Sequence, residues 1–113
     1  MNTAIIKVLT DIIGIVYEGR GEYIAEHVRV GDHIRLKHDA HNSYDEHAVE
    51  ARHGKQVIGY ISREHSERFA EALKSGNCCG EAVVCEIGEN YITVYTEMKM
   101  PWLGNSVIRG MYL

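Results

Sequence analysis

The sequence has little proline, little cysteine and no long apolar run. Its 113 residues include one proline and three cysteines. The scarcity of proline and the lack of any biased segment argue against a disordered chain, and the odd cysteine count argues against a disulfide framework. The apolar run from Ile12 to Tyr17 is far too short to span a membrane or to form a signal core. These absences predict a single domain over residues 1–113, located in a reducing cytoplasm.

The chain also lacks an excess of basic residues. It has 12 lysines and arginines against 16 aspartates and glutamates, which gives a net charge of −4 with histidine neutral. This balance excludes a generic polycationic nucleic-acid coat. Six histidines lie within residues 27–53, and this stretch gains positive charge in mild acid.

Motifs for catalysis and for metal binding are missing as well. No glycine-rich phosphate-binding loop of the Walker type occurs. The spacing of His38, His41 and the adjacent Cys78 and Cys79 does not fit a structural zinc site. We therefore expect a binding domain without enzymatic activity, metal or cofactor.

β-Branched and alternating segments predict six strands interrupted by one helix. The helix is predicted over Arg63 to Ser75, with Ser62 as its N-cap and Gly76 as its stop. Residues 18–31 are predicted to form a loop, and Gly14 to mark a bend or a bulge in the first strand. The strands are predicted at Ile5–Tyr17, with Ile12–Tyr17 buried on both faces, and at His33–Lys37, Ala48–His53, Val57–Ile61, Ala82–Ile87 and Tyr91–Tyr95.

Short hairpin turns between these strands exclude a parallel, doubly wound sheet, which requires crossover helices. The sequence therefore predicts a mostly β fold with one helix, a small OB-like β-barrel of about six strands. Met98 to Leu113 has no clear period and is interpreted as a C-terminal extension. We expect this tail or the long N-terminal strand to offer a contact for a homodimer.

Four motifs occur in a characteristic order along the chain. They are Ile13-Gly-Ile-Val-Tyr-Glu-Gly19, Gly31-Asp32 at the start of a strand, Asn42-Ser-Tyr-Asp-Glu-His-Ala-Val49, and Gly59-Tyr60-Ile61 before a helix. Together they resemble the HIRAN domain family, over about residues 12–97. This family occurs in eukaryotic fork-remodelling helicases and as small free-standing bacterial proteins, and the resemblance implies an OB-like fold.

The helicase-attached members bind the 3′ end of single-stranded DNA, so the resemblance implies a role in DNA repair or replication-fork processing. By position, Tyr17 and Tyr44 resemble the pair that holds the terminal base, and Asp45 resembles the acceptor for the 3′-hydroxyl group. The resemblance places Asn42, Tyr60 and Arg63 at further backbone and phosphate contacts. The chain departs from the pattern at Val16, which is basic in the DNA-binding helicase member, and at Ser43, which is usually proline.

Each of these residues also has a structural interpretation. Asn42 and Asp45 are typical turn residues whose side chains bond their own backbone, and Tyr17 can pack in the core. Scattered cations usually form a solvated face; the candidates for phosphate contact are Arg35, Lys37, Arg52, Lys55 and Arg63. The alternative function is a protein-interaction or assembly module that has the same barrel and does not bind DNA. A nuclease or metal-dependent phosphoesterase is a weaker third interpretation.

Overall fold

The structure is a computed structural model and describes residues 3–101. It contains six strands and two helices within that range. In chain order the elements are β1 (Thr3–Ile13), α1 (Arg20–His27), β2 (His33–His38), β3 (Val49–His53), β4 (Gln56–Ile61), α2 (Arg63–Ser75), β5 (Cys78–Ile87) and β6 (Ile92–Pro101).

The six strands close into a barrel in the order β1-β4-β3-β2-β5-β6, and all neighbouring strands are antiparallel. β1 and β6 pair along almost their full length, from Thr3 opposite Pro101 to Ile12 opposite Ile92. The barrel is closed on the other side of β1 by only two residue pairs with β4, Ile12 with Ile61 and Ile13 with Tyr60. The predicted fold class, a small β-barrel of six strands, is confirmed.

Alternating residues of the strands fill the barrel, and α2 covers part of it. In β2, Ile34 and Leu36 are buried whereas His33, Arg35 and Lys37 are exposed, as the period of two predicts. α2 begins at Arg63 and ends at Ser75, at the predicted residues, and contributes the fully buried Phe69 to the core.

The first strand is shorter than predicted, and the interpretation of Ile12 to Tyr17 as a strand buried on both faces is wrong. β1 ends at Ile13 because Gly14 has φ +71° and turns the chain out of the strand, as its predicted bend requires. Ile15 returns to the core, but Val16 and Tyr17 are exposed.

The predicted loop over residues 18–31 contains a second helix, α1, so the prediction of one helix is wrong. Ile24 and Val28, one turn apart, are buried in the core, which is sufficient to dock so short a helix. The N-cap is Gly19, which has no side chain to cap the helix. Without a capping side chain, the usual signal for a helix start is absent.

The final strand continues beyond its predicted end. Met98 is buried in the core, and β6 reaches Pro101, so the first residues of the predicted C-terminal extension belong to the barrel. Residues 102–113 lie outside the described residues, and the predicted contribution of the tail or of β1 to a dimer stays a prediction. Within the described range, no helix has the length and apolar character needed to cross a membrane.

Candidate functional site

The loop between β2 and β3 is ordered by two of the predicted site residues. Asn42 Oδ1 accepts hydrogen bonds from the backbone N–H groups of Tyr44 at 2.9 Å and Asp45 at 3.0 Å. Asp45 Oδ1 accepts one from the backbone N–H of His47 at 2.9 Å. These are the bonds that the turn interpretation of Asn42 and Asp45 predicts. They fix the backbone on both sides of the Tyr44 side chain.

The first turn of α2 holds the same loop from the other side. Arg63 Nη2 donates to the carbonyl oxygen of Tyr44 at 3.0 Å, and Arg63 Nε lies 4.0 Å from Asp45 Oδ2. Ser66 Oγ donates to Asp45 Oδ2 at 3.2 Å. The structure therefore brings Asn42, Tyr44, Asp45 and Arg63 together by direct contacts.

Two tyrosines of the predicted site project into solvent. Tyr44 is 88% exposed on its loop, and Tyr17 is 66% exposed in the turn between β1 and α1. The interpretation of Tyr17 as a core residue is therefore wrong. Both side chains are thus largely open to solvent, as stacking on a base requires.

Tyr60 lies half-buried on β4, between Glu50 of β3 and Ile13 of β1. Burial raises the pKa of the Tyr60 hydroxyl, and the negative charges of Asp39 and Glu50 raise it further. The hydroxyl thus stays neutral at physiological pH and keeps its proton as a hydrogen-bond donor.

Arg20, in the first turn of α1, connects Tyr60 to the turn that carries Tyr17. Its guanidinium lies 5.6 Å from the centroid of the Tyr60 ring. Arg20 Nη1 donates to the carbonyl oxygen of Gly14 at 2.8 Å, and Nη2 contacts Glu18 Oε2 at 2.9 Å. Arg20 therefore braces the turn. The sequence analysis missed it because the residue fell in a predicted loop.

The other cations considered for phosphate contact differ in their partners. Arg35 forms an ion pair with Glu81 at 3.1 Å, and Arg52 forms one with Glu50 at 2.6 Å. The side chain of Arg63 is 73% exposed, although its Nε lies near Asp45. The guanidinium of Arg63 thus both contacts the ordered loop and faces solvent.

Two histidines, one at the end of β2 and one in the loop, make contacts within this region. His38 Nε2 lies 2.8 Å from the carbonyl oxygen of Glu46. His47 lies between two carboxylates, with Nδ1 3.9 Å from Asp45 Oδ1 and Nε2 3.8 Å from Glu46 Oε1. Protonated His47 would therefore add positive charge directly beside Asp45.

Metal and thiol chemistry have little support in the described part of the chain. Within residues 3–101, no group of three or more histidine, cysteine, aspartate or glutamate side chains is placed to hold a metal ion. Burial raises the pKa of the Cys78 thiol, and partial burial also raises that of the Cys85 thiol. Both thiols are thereby shifted away from the thiolate form that acts as a nucleophile.

Ser66 is a further residue that the sequence analysis missed. It is buried in α2, whose apolar stripe gives no indication that a serine faces the loop between β2 and β3. Only the tertiary packing of α2 against this loop brings its hydroxyl to Asp45.

Comparisons with known proteins agree with this architecture. The sequence model of the HIRAN domain matches residues 6–102. No curated protein matches the sequence. Solved structures of the same fold include a protein from Lactobacillus plantarum, which is 17% identical with a TM-score of 0.73, where the match covers 88% of this chain and 99% of that chain. They also include the HIRAN domain of human HLTF, which is 16% identical with a TM-score of 0.70, where the match covers 87% of this chain and 79% of that chain.

At 17% and 16% identity, the two solved structures show the fold alone. The match of the sequence model covers most of the chain and therefore shows the family. The predicted resemblance is confirmed over a longer stretch than its motifs covered. This chain belongs to the HIRAN domain family.

Proposed function

We propose that this chain is a nucleic-acid-binding module without catalytic activity that recognises the 3′-hydroxyl end of single-stranded DNA. Membership of the HIRAN family supports the binding of nucleic acid. The observation that carries the finer proposal is the environment of Asp45, an oriented carboxylate between an exposed aromatic ring and an exposed guanidinium. Such a module fits a task in DNA repair or replication-fork processing.

The chemistry of Asp45 suits an end-specific contact. Its side chain is 21% exposed, and each carboxylate oxygen already accepts one hydrogen bond from the protein. A carboxylate oxygen has a second lone pair, so Asp45 can accept another bond from a terminal hydroxyl group. A phosphate at the same position would be repelled, because it carries negative charge and no strong donor. Asp45 is therefore proposed to select a free 3′ end.

The tyrosines supply sequence-tolerant affinity. An aromatic ring that stacks on a base contributes roughly 1–3 kcal/mol, and the exposed faces of Tyr17 and Tyr44 are available for this contact. The Arg63 guanidinium and the backbone N–H groups at the start of α2 are proposed to receive the adjacent phosphate. The Asn42 amide group and the Tyr60 hydroxyl are proposed as further backbone contacts.

A polarisation titration tests the proposal. Two labelled oligonucleotides of identical sequence, one with a 3′-hydroxyl and one with a 3′-phosphate, are titrated with the full chain. We expect the hydroxyl end to bind more tightly by the worth of a hydrogen bond to a charged group, about 1.5–3 kcal/mol, or roughly 10- to 150-fold in affinity. Equal affinity for the two ends would exclude end recognition.

Two variants locate the selectivity. Asp45→Asn retains an oxygen that can accept from the His47 N–H, but its amide group also introduces donors. It should therefore narrow the gap in affinity between the 3′-hydroxyl and the 3′-phosphate oligonucleotides. Glu46→Gln is the matched control, since it removes the same charge from the neighbouring, 84% exposed side chain. It should preserve the gap. A gap that survives in Asp45→Asn would place end recognition elsewhere.

The second candidate function is a protein-interaction module. Two observations favour it: acidic groups lie near Tyr60, and the apolar side chains of Ile13, Val16 and Tyr17 are exposed at the end of β1 and in the turn after it. This function predicts no measurable oligonucleotide binding in either titration, whereas the proposed function predicts binding in at least one.

A further inference from the structure

The buried serine in the first turn of α2 has two acceptors and one proton. Ser66 is 3% exposed. Its Oγ lies 3.2 Å from Asp45 Oδ2 and 3.3 Å from the carbonyl oxygen of Arg63. A hydroxyl group donates to one acceptor at a time, and a carboxylate is the stronger acceptor because it is charged. The proton of Ser66 is therefore directed to Asp45.

We propose that Ser66 is a positioning residue for 3′-end recognition, which acts by fixing the orientation of the Asp45 carboxylate. This role rests on the proposed function, and it adds a residue of α2 to the specificity of the site. Ser66 does not contact the ligand itself, since its side chain is buried behind Asp45.

The arrangement of donors around Asp45 explains the role. The carboxylate group of an aspartate rotates over a broad range about its terminal torsion unless both oxygens are held. The N–H of His47 holds Oδ1 and the hydroxyl of Ser66 holds Oδ2. Arg63 Nε, at 4.0 Å, is too far from Oδ2 to replace the hydroxyl as a directional donor. Without Ser66, only one of the two oxygens keeps a hydrogen bond.

Serine hydroxyl groups in helices often bond the backbone three residues earlier, and this gives the competing explanation that Ser66 only stabilises α2. The same helix provides a matched control. Ser75 Oγ donates to the carbonyl oxygen of Ala72 at 3.3 Å, the same distance and spacing as Ser66 to Arg63, but at the opposite end of α2. Ser75→Ala therefore removes the helix contact alone.

The test uses the full chain and two labelled single strands of identical sequence, one ending in a 3′-hydroxyl and one in a dideoxy nucleotide, which has hydrogen at that position. Affinities are measured for the wild type, Ser66→Ala and Ser75→Ala. We expect Ser66→Ala to weaken binding of the hydroxyl end by roughly three- to tenfold, the worth of one ordinary hydrogen bond. Binding of the dideoxy end should change less than twofold, and Ser75→Ala should leave both affinities unchanged.

The outcomes separate this role from the proposed function. If wild type prefers the hydroxyl end and Ser66→Ala retains the whole preference, Ser66 is not a positioning residue. Equal losses for both ends would likewise overturn the proposal, since they indicate a general effect on the fold. A wild type without preference would refute 3′-hydroxyl recognition itself, and the role of Ser66 with it.

A double-variant measurement keeps the test independent of small changes in stability. Ser66 is proposed to act only through Asp45, so adding Ser66→Ala to Asp45→Asn should not change the remaining ratio of the two affinities. A further fall of that ratio in the double variant would show that Ser66 acts by another route and would overturn the proposal.

Discussion

Gly59 lies where β1 crosses β4, and its replacement by alanine should strain the closure of the barrel. A Cβ atom on Gly59 would lie 2.7 Å from Ile12 Cγ2 and 3.2 Å from Ile15 Cγ2, and closer still to the carbonyl oxygen of Ile13. Carbon atoms pack at about 3.5–4.0 Å, so the Ile12 side chain would have to move by roughly 1 Å. The Ile13 carbonyl cannot retreat without disturbing the pairing of Ile13 with Tyr60.

The expected cost follows from these contacts. Overpacking of a close-packed core destabilises by about 1–3 kcal/mol, and we expect Gly59→Ala near the upper limit because the closest atom belongs to the backbone. This is a substantial part of the roughly 5–15 kcal/mol that stabilises a typical domain. The variant should also weaken oligonucleotide binding, because the displaced end of β1 leads directly into the turn that carries Tyr17.

Urea unfolding measures the free-energy change, with Gly21→Ala as the control. Gly21 lies in α1, where an added Cβ meets no atom closer than 3.8 Å, so alanine should stabilise the chain by about 0.5–1 kcal/mol. The two substitutions add the same methyl group and should have opposite signs. A Gly59→Ala variant as stable as the wild type would refute the argument from close approach.

Three other outcomes are expected. Tyr44→Ala should weaken oligonucleotide binding by about 1–3 kcal/mol in a polarisation titration, whereas Tyr44→Phe keeps the ring and most of the affinity. A hydrogen bond from the Arg29 backbone N–H and another from His53 hold the pKa of Asp32 below its ordinary value of 3.8. The resulting stabilisation is present above that value and is lost as the pH falls through the lower pKa of the folded state. Thermal unfolding of Asp32→Asn should therefore show lower stability at neutral pH and a shallower decline in acid. The logarithm of the affinity should fall with the logarithm of the salt concentration with a slope of about −0.7 to −1.4.

The parts of the fold that sequence could predict are those where a local pattern and the tertiary environment agree. The alternation in β2 and the capping residues around α2 gave correct elements, because each strand or helix buries one face against the same core. The turn residues Asn42 and Asp45 were identified with their bonds, since those bonds are local.

The remainder depended on contacts between distant segments. α1 has no capping side chain and buries few residues, so its existence follows from its docking on the barrel. Ser66 and Arg20 became part of the site through contacts with Asp45 and Tyr60, which are 21 and 40 positions away in the chain. No local pattern specifies such contacts, because the sequence does not show which faces of two elements meet.

The pairing of charges accounts for the small salt dependence expected of an acidic binding module. Arg20, Arg35 and Arg52 each contact a carboxylate within 3.1 Å, so a phosphate would have to displace a partner before it gained their charge. Arg63 has a looser contact at 4.0 Å and is largely exposed. A strand held mainly at its terminal nucleotide therefore neutralises one or two phosphates and releases few counterions. Its affinity must then come from stacking and from hydrogen bonds to the end group, which salt screens weakly. A slope near −3 or steeper would instead show that further cations bind the strand, for which the face of β2 and β3 offers Arg35, Lys37 and Arg52.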